Sequence, residues 1–178
     1  MIGFDHVSFS YRAPAAADGA GVEDVSLSVG SGEVVVLCGR SGCGKSTLLR
    51  LAGGLAPRFF PGELLGSALL DGEAVDGLTT WEIAQRAGSL FQNPRTQFFN
   101  VDTTGEVAFA LESAGRPEED IRARVEATFE ELGLQSLAGR NIFQLSGGER
   151  QKVAFASIWA MHPTNLLLDE PTSNLDLP

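Results

Sequence analysis

The chain has 178 residues, 43% apolar and 20% charged, with a formal net charge of −10. That balance fits one soluble globular domain with a proper core, and the acidity, with no dense lysine or arginine run, argues against nucleic acid or an anionic membrane surface as a direct partner. The apolar runs are strand-length, far short of the roughly 20 residues that span a bilayer, and Met1-Ile2-Gly3-Phe4-Asp5 lacks the pattern of a signal peptide, so a cytoplasmic location is expected.

In chain order, Phe4 to Tyr11 alternates as a strand, with His6 an ordinary strand residue. Tyr11 is either a sheet aromatic or a platform on which a base could stack. The small residues from Ala13 to Gly21 read as a hairpin loop, and Val25-Ser26-Leu27-Ser28-Val29 as a second strand. Gly30-Ser31-Gly32 turns into the apolar run Val34-Val35-Val36-Leu37, expected as a third strand. Directly after it comes Gly39-Arg40-Ser41-Gly42-Cys43-Gly44-Lys45-Ser46-Thr47, which fits G-x-x-x-x-G-K-[ST]. Glycines there let successive backbone N–H groups curl toward an anion. The helix expected through Leu48, Leu49, Leu51 and Ala52 adds its positive N-terminus. Lys45 is placed to reach the β and γ phosphates, and Ser46 to offer a hydroxyl to Mg²⁺. The two cysteines, Cys38 and Cys43, suggest neither a disulfide framework nor a metal site; they read as small residues of a tight turn, Cys43 an alkylatable thiol.

Gly53-Gly54 ends the helix, Pro57 to Gly66 reads as a loop, and Ala68-Leu69-Leu70 runs into an Asp71-Gly72 turn. Trp81 to Arg86 is a short helix and Gly88 to Phe91 a core strand that stops at Gln92-Asn93-Pro94. Gln92 suits a site beside a phosphate loop, although in isolation an exposed loop glutamine is the simpler reading. Val107 to Leu111 is a short apolar stretch. Pro117-Glu118-Glu119-Asp120 opens a helix whose apolar face is Ile121, Val125, Phe129 and Leu132, closed by Gly133. In Leu145-Ser146-Gly147-Gly148-Glu149-Arg150-Gln151, Ser146 and Glu149 form a capping box. Two glycines in a first helical turn are costly unless another molecule must approach the backbone, so this is a second anion-receiving terminus, without its own lysine. His162 reads as a helix-terminal residue. Finally, the apolar Leu166-Leu167-Leu168 delivers Asp169 and Glu170 to the carboxyl end of an expected parallel strand. Asp169 suits Mg²⁺ and Glu170 a base for water.

The phosphate loop, Gln92, Leu145 to Glu149, Asp169-Glu170 and Ser173-Asn174-Leu175-Asp176 follow one another in the order of an ABC-type ATPase domain, which the whole chain resembles. The resemblance implies an α/β P-loop NTPase core of the ABC ATPase type, with an N-terminal antiparallel β subdomain and an inserted helical subdomain. Residues 1–92 and 141–178 would form the nucleotide-binding core and about 93–140 the helical subdomain. It implies that ATP and Mg²⁺ are bound by Gly39, Arg40, Ser41, Gly42, Cys43, Gly44, Lys45, Ser46 and Thr47, with Ser46, Gln92 and Asp169 toward the metal. Tyr11 would stack on adenine, and Glu170 would be the catalytic base, assisted by Gln92. Ser146, Gly147, Gly148 and Glu149 would face the γ-phosphate of ATP held by a second domain, with Asp176 coupling the two sites.

Phe91-Gln92-Asn93-Pro94-Arg95-Thr96-Gln97-Phe98-Phe99 and Val107-Ala108-Phe109 narrow the resemblance to the ATPases of energy-coupling-factor (ECF) importers of vitamins and of cobalt or nickel ions. That likeness implies a second ATPase domain, identical or homologous, a transmembrane coupling subunit docked after Gln92, a substrate-binding membrane subunit and a place on the cytoplasmic face of the membrane. Two departures stand out. Asn174 replaces a residue that is more often small, and the switch histidine of the family falls beyond Pro178 together with the strand leading to it. These residues alone are therefore expected to expose apolar surface and to be poorly stable. The competing readings are a soluble ABC ATPase acting on DNA or ribosomes, against which the acidity and the aromatic loop count, and a regulatory module without activity, against which Lys45, Asp169 and Glu170 count.

Overall fold

A computed structural model describes residues 1–12 and 21–173. Most of the expected Ala13–Gly21 loop, and Asn174 and Asp176, lie outside the described residues. The chain divides into two compact units, Met1–Ala87 and one beginning at Gly88.

The first unit is built on a four-stranded antiparallel sheet in the order β2-β1-β3-β4. Its strands are β1 (Ile2–Tyr11), β2 (Gly21–Val29), β3 (Gly62–Leu70) and the two-residue β4 (Glu73–Ala74). The alternation read from the sequence puts Val7 and Phe9 on the buried face with Leu70, each burial contributing about 1.5–3 kcal/mol. Helix α1 (Lys45–Ala52) packs on this sheet through Leu48, Leu51 and Ala52. Gly53 caps its end and Gly54 follows at φ +65°. Helix α2 (Thr80–Arg86) starts on a capping box between Thr79 and Glu82.

Three expectations are corrected here. His6 is not a plain strand residue: it sits at φ +48° where the β1 register shifts, and its Nδ1 lies 2.7 Å from Asp24 Oδ1. The loop expected up to Gly66 ends earlier, because β3 begins at Gly62. Gly66, at φ +75°, belongs to the same irregularity, since a Cβ there would lie 2.3 Å from the His6 carbonyl oxygen. Glycine content hid this strand; the glycine serves the close backbone approach at the bulge. Third, residues 34–37 are not a strand. β-branched propensity makes this run fit a sheet, but a strand requires a partner ladder. Among the described residues none pairs with it, and Val34 and Val36 are 88% and 75% exposed.

The second unit joins a two-stranded sheet, β5 (Ala87–Leu90) with β6 (Asn165–Leu168), to helices α3 (Thr103–Ser113), α4 (Glu118–Glu131) and α5 (Gly147–Trp159). The apolar stretch at Val107 is thus part of a full helix, started by Asp102, whose side chain accepts from Gly105 N. Pro117 is the N-cap of α4 and its three acids fill the first turn, where the helix dipole favours them. Val125 and Phe129 of α4 bury against Val107, Leu111, Val153 and Ala156, with Ile121 and Leu132 at the margin. Gly88 lets β5 press on α5 and β6, since a Cβ there would meet Ile158 and Leu166 at 3.3 Å. Among the described residues no helix is long and apolar enough to cross a membrane.

Candidate functional site

The candidate residues fall into two groups, one in each unit. In the first, the loop from Gly39 to Gly44 closes tightly. A Cβ on Gly39 would lie 2.7 Å from Cys43 Sγ, and Cys43 N donates to the Arg40 carbonyl at 3.3 Å. Gly42 and Gly44 take φ +80° and +98°, which L side chains avoid. Gly44 is also pressed on β2, where a Cβ would lie 2.4 Å from Val22 Cγ1. Gly44 is the N-cap of α1 and provides no side-chain acceptor, so the first-turn N–H groups receive no side-chain cap. Lys45 Nζ reaches back over the loop and donates to the carbonyls of Gly39 and Arg40, each at 3.0 Å. A glycine-built loop, an uncapped helix N-terminus and the Lys45 ammonium thus lie together, and that donor set fits a chain of phosphates. Ser46, in the first turn of α1, carries the hydroxyl expected for Mg²⁺. Tyr11 is held by its edge contact with Phe9, ring centroids 4.9 Å apart. Its hydroxyl lies 3.1 Å from Thr47 Oγ1 and accepts from Arg50 Nη1 at 3.0 Å.

In the second unit, β6 hands its acids to the loop after it. Asp169 N donates to the Leu90 carbonyl at 2.9 Å, which ties the acidic pair to the end of β5. Glu170 adopts φ +50° immediately before Pro171, although a residue before proline ordinarily prefers extended backbone. Such a conformation costs about 1–3 kcal/mol and concentrates at functional sites. Gln92 Nε2 donates to Glu170 Oε2 at 2.7 Å, so the two residues assigned to catalysis on sequence grounds, 78 positions apart, are in direct contact. With Nε2 engaged, the Gln92 carbonyl oxygen remains as a hard donor for a cation, and Asp169 supplies a carboxylate of the same kind.

The capping box predicted at Ser146 is present in both directions. Ser146 Oγ accepts from Glu149 N at 3.2 Å and Glu149 Oε2 from Ser146 N at 2.7 Å. Arg140 Nη1 lies 3.3 Å from Glu149 Oε1. The Ser146 backbone N–H, followed by its hydroxyl, holds the Glu149 carboxyl below the usual carboxylate range. Gly147 and Gly148 open α5 directly after this cap. Asp176 lies outside the described residues.

Of the aromatics after Gln92, Phe91 and Phe99 are exposed, Phe99 to 75%, whereas Phe98 turns inward onto the helical core. Phe99 stacks on Phe109 with centroids 4.7 Å apart. Sequence reasoning missed Arg50 and Glu106. Glu106, 3% exposed, accepts from Phe99 N and Asn100 N at 2.9 and 2.8 Å and so shapes the aromatic loop. Its one signal was an acid set against the apolar run at Val107. For Arg50 the one available signal was a cation in the last turn of the helix.

The family model described as ABC transporter matches residues 22–173. The chain belongs to the ABC transporter family. It is 47% identical over 176 residues to a putative ABC transporter ATP-binding protein of Treponema denticola, covering 99% of this chain but 35% of that protein. It is 38% identical over 177 residues to the energy-coupling factor transporter ATP-binding protein EcfA1 of Lactiplantibacillus plantarum, covering 99% of this chain and 60% of that one. The ATP-binding cassette MJ0796, solved as a dimer in a post-hydrolysis state bound to ADP and Pi, superposes with a TM-score of 0.82 at 27% identity, over 99% of this chain and 76% of that one. The chain therefore spans about a third of the first of these relatives, and its fold is that of an ABC ATPase cassette.

Proposed function

We propose that this chain is the ATP-binding and ATP-hydrolysing part of a membrane importer of the ECF type, handling vitamins or cobalt or nickel ions, and that it works as a nucleotide-sandwich dimer. Residues 1–92 and 141–178 are read as the nucleotide-binding core and about 93–140 as the helical subdomain. Family membership supports the class, and the Gln92–Glu170 contact carries the chemistry. A carboxylate that keeps one oxygen on an amide has the other available to accept a proton from water, and its orientation is fixed before water arrives.

The motif order then gives each residue a role, which the local geometry supports for the phosphate loop and for the Gln92–Glu170 pair. The loop from Gly39 to Thr47 grips the phosphates, with Lys45 exchanging its two carbonyl acceptors for phosphate oxygens. Ser46, Asp169 and the Gln92 carbonyl are the oxygen donors suited to Mg²⁺, which when bound offsets phosphate charge. Glu170 orients and deprotonates the attacking water. Tyr11 offers its ring to the adenine, and Ser146, Gly147, Gly148 and Glu149 meet the nucleotide of a second ATPase domain, identical or homologous, with Asp176 linking the two sites. The exposed Phe99 and Phe109 are continued by Val101 and Phe143, 60% and 74% exposed, which adjoin through the bond from Ile142 N to the Val101 carbonyl at 2.9 Å. This apolar patch suits a transmembrane coupling subunit, working with a substrate-binding membrane subunit at the cytoplasmic face of the membrane.

The test is Glu170→Gln in the full-length protein. It keeps the side-chain shape and removes the base, so ATP turnover is expected to fall about 10²–10⁴-fold while ATP binding is retained. Turnover at the parent rate would show that Glu170 is not the base.

A further inference from the structure

The contacts around Arg50 carry an inference beyond the roles above, and it rests on the nucleotide reading of the phosphate loop. Arg50 stands in the last turn of α1, five positions after Lys45. Its guanidinium lies 4.2 Å from the centroid of the Phe60 ring, which fixes its plane, and its Nη1 lies 3.0 Å from the Tyr11 hydroxyl. An arginine has donors only, so in this bond Tyr11 Oη is the acceptor. The single Tyr11 proton is then available to Thr47 Oγ1, 3.1 Å away. Thr47 is 6% exposed, and the structure gives its hydroxyl no second hydrogen-bond partner among the described residues. A hydroxyl that accepts from Tyr11 keeps its own proton to donate. Thr47 directly follows Ser46, the last residue of the phosphate-loop motif, so the run Arg50 to Tyr11 to Thr47 ends beside the loop read as the phosphate site.

We propose that Arg50 is a positioning residue of this site: through the Tyr11 hydroxyl it fixes the Thr47 hydroxyl as a hydrogen-bond donor to a nucleotide phosphate. Each bond in such a run polarises the next, and the charged end sets its direction. Tyr11 thereby has a second duty, carried by its hydroxyl and separate from any stacking by its ring.

The experiment measures binding of ATP and of inorganic tripolyphosphate, both with Mg²⁺, to the full-length protein. Tyr11→Phe keeps the ring on Phe9 and removes only the hydroxyl. It is expected to weaken both ligands by the same factor, roughly three- to tenfold, as for one hydrogen bond. Thr47→Val is expected to weaken both at least as much, and Tyr11→Phe added to Thr47→Val to cost nothing further. In a Thr47→Ser background the Tyr11→Phe loss should persist, because serine keeps the hydroxyl. Arg50→Gln should cost less in the Tyr11→Phe background than in the parent. Three outcomes overturn the proposal: Tyr11→Phe weakening ATP but not tripolyphosphate, the Tyr11→Phe and Thr47→Val losses multiplying as independent effects, or the Tyr11→Phe loss vanishing in Thr47→Ser. Lys45→Ala separates the underlying reading. Tripolyphosphate binding left intact by that change would mean that the loop is not the phosphate site at all, whatever Tyr11 does.

Discussion

Helix α1 begins on Gly44 in the left-handed region with no side-chain cap, whereas α5 begins on Ser146 with a reciprocal capping box to Glu149. Both termini read from the sequence as anion-receiving. Their construction differs. At α1 a lysine adds positive charge and no protein carboxylate caps the first turn, which suits the external anion proposed above. At α5 a carboxylate already occupies the Ser146 N–H, and Glu149 N is held by the Ser146 hydroxyl. What remains for a ligand is the backbone of Gly147 and Gly148. An anion approaching there also meets the Glu149 charge, which Arg140 at 3.3 Å partly offsets. On the function proposed above, the first terminus would hold the phosphate chain and the second would complete the nucleotide site of another ATPase domain.

The contrast can be broken from either side. Gly44→Val attacks the open terminus, since it places a β-branched residue at φ +98° and a Cβ 2.4 Å from Val22 Cγ1. Destabilisation of about 2–4 kcal/mol is expected, read as a lowered thermal midpoint; an unchanged midpoint would mean that the loop relaxes freely and is not shaped by glycine. Ser146→Ala attacks the closed terminus and is expected to cost about 1 kcal/mol as a lost N-cap, with Lys45-dependent ATP binding to the same copy unaltered. A large loss of that binding would contradict the separation of the two tasks. The smallest effect is a pH dependence. The Glu149 carboxyl is lowered from 4.5 in the folded chain by the Ser146 N–H, so its contribution is present above that value and fades as pH falls through the lowered one. The parent should therefore lose its stability advantage over Glu149→Gln only in acid, measured by denaturant unfolding at stepped pH. A difference that stays constant down the pH scale would refute the carboxylate cap.

Much of this was legible in the sequence, for physical reasons that differ by region. The capping box at Ser146, the face of α4 through Val125 and Phe129, and the turn at Asp71-Gly72 depend on neighbours a few positions away, and local patterns reported them faithfully. The motif order gave the family, and the two residues it marked for catalysis, Gln92 and Glu170, meet in the fold. What pattern could not report were relations set by distant backbone. Gly62 to Gly66 read as a loop because two glycines and a proline mask a strand whose partner is β1. Val34 to Leu37 read as a strand because its composition fits a sheet, yet a ladder partner is not a property of composition. Glu106 and Arg50 escaped notice because a single charged residue in an amphipathic helix carries no signal of what it touches; the Phe99 amide and the Tyr11 hydroxyl become visible only with the fold.

The proposed function depends on the open terminus of α1 being a phosphate site, and an equilibrium titration of Mg²⁺-ATP into the full-length protein and its Lys45→Ala variant tests that most directly. Saturable binding by the parent is expected and, with the charge-assisted contacts of Lys45 removed, a loss of about two orders of magnitude or more in the variant. Equal affinity in the two proteins would contradict it.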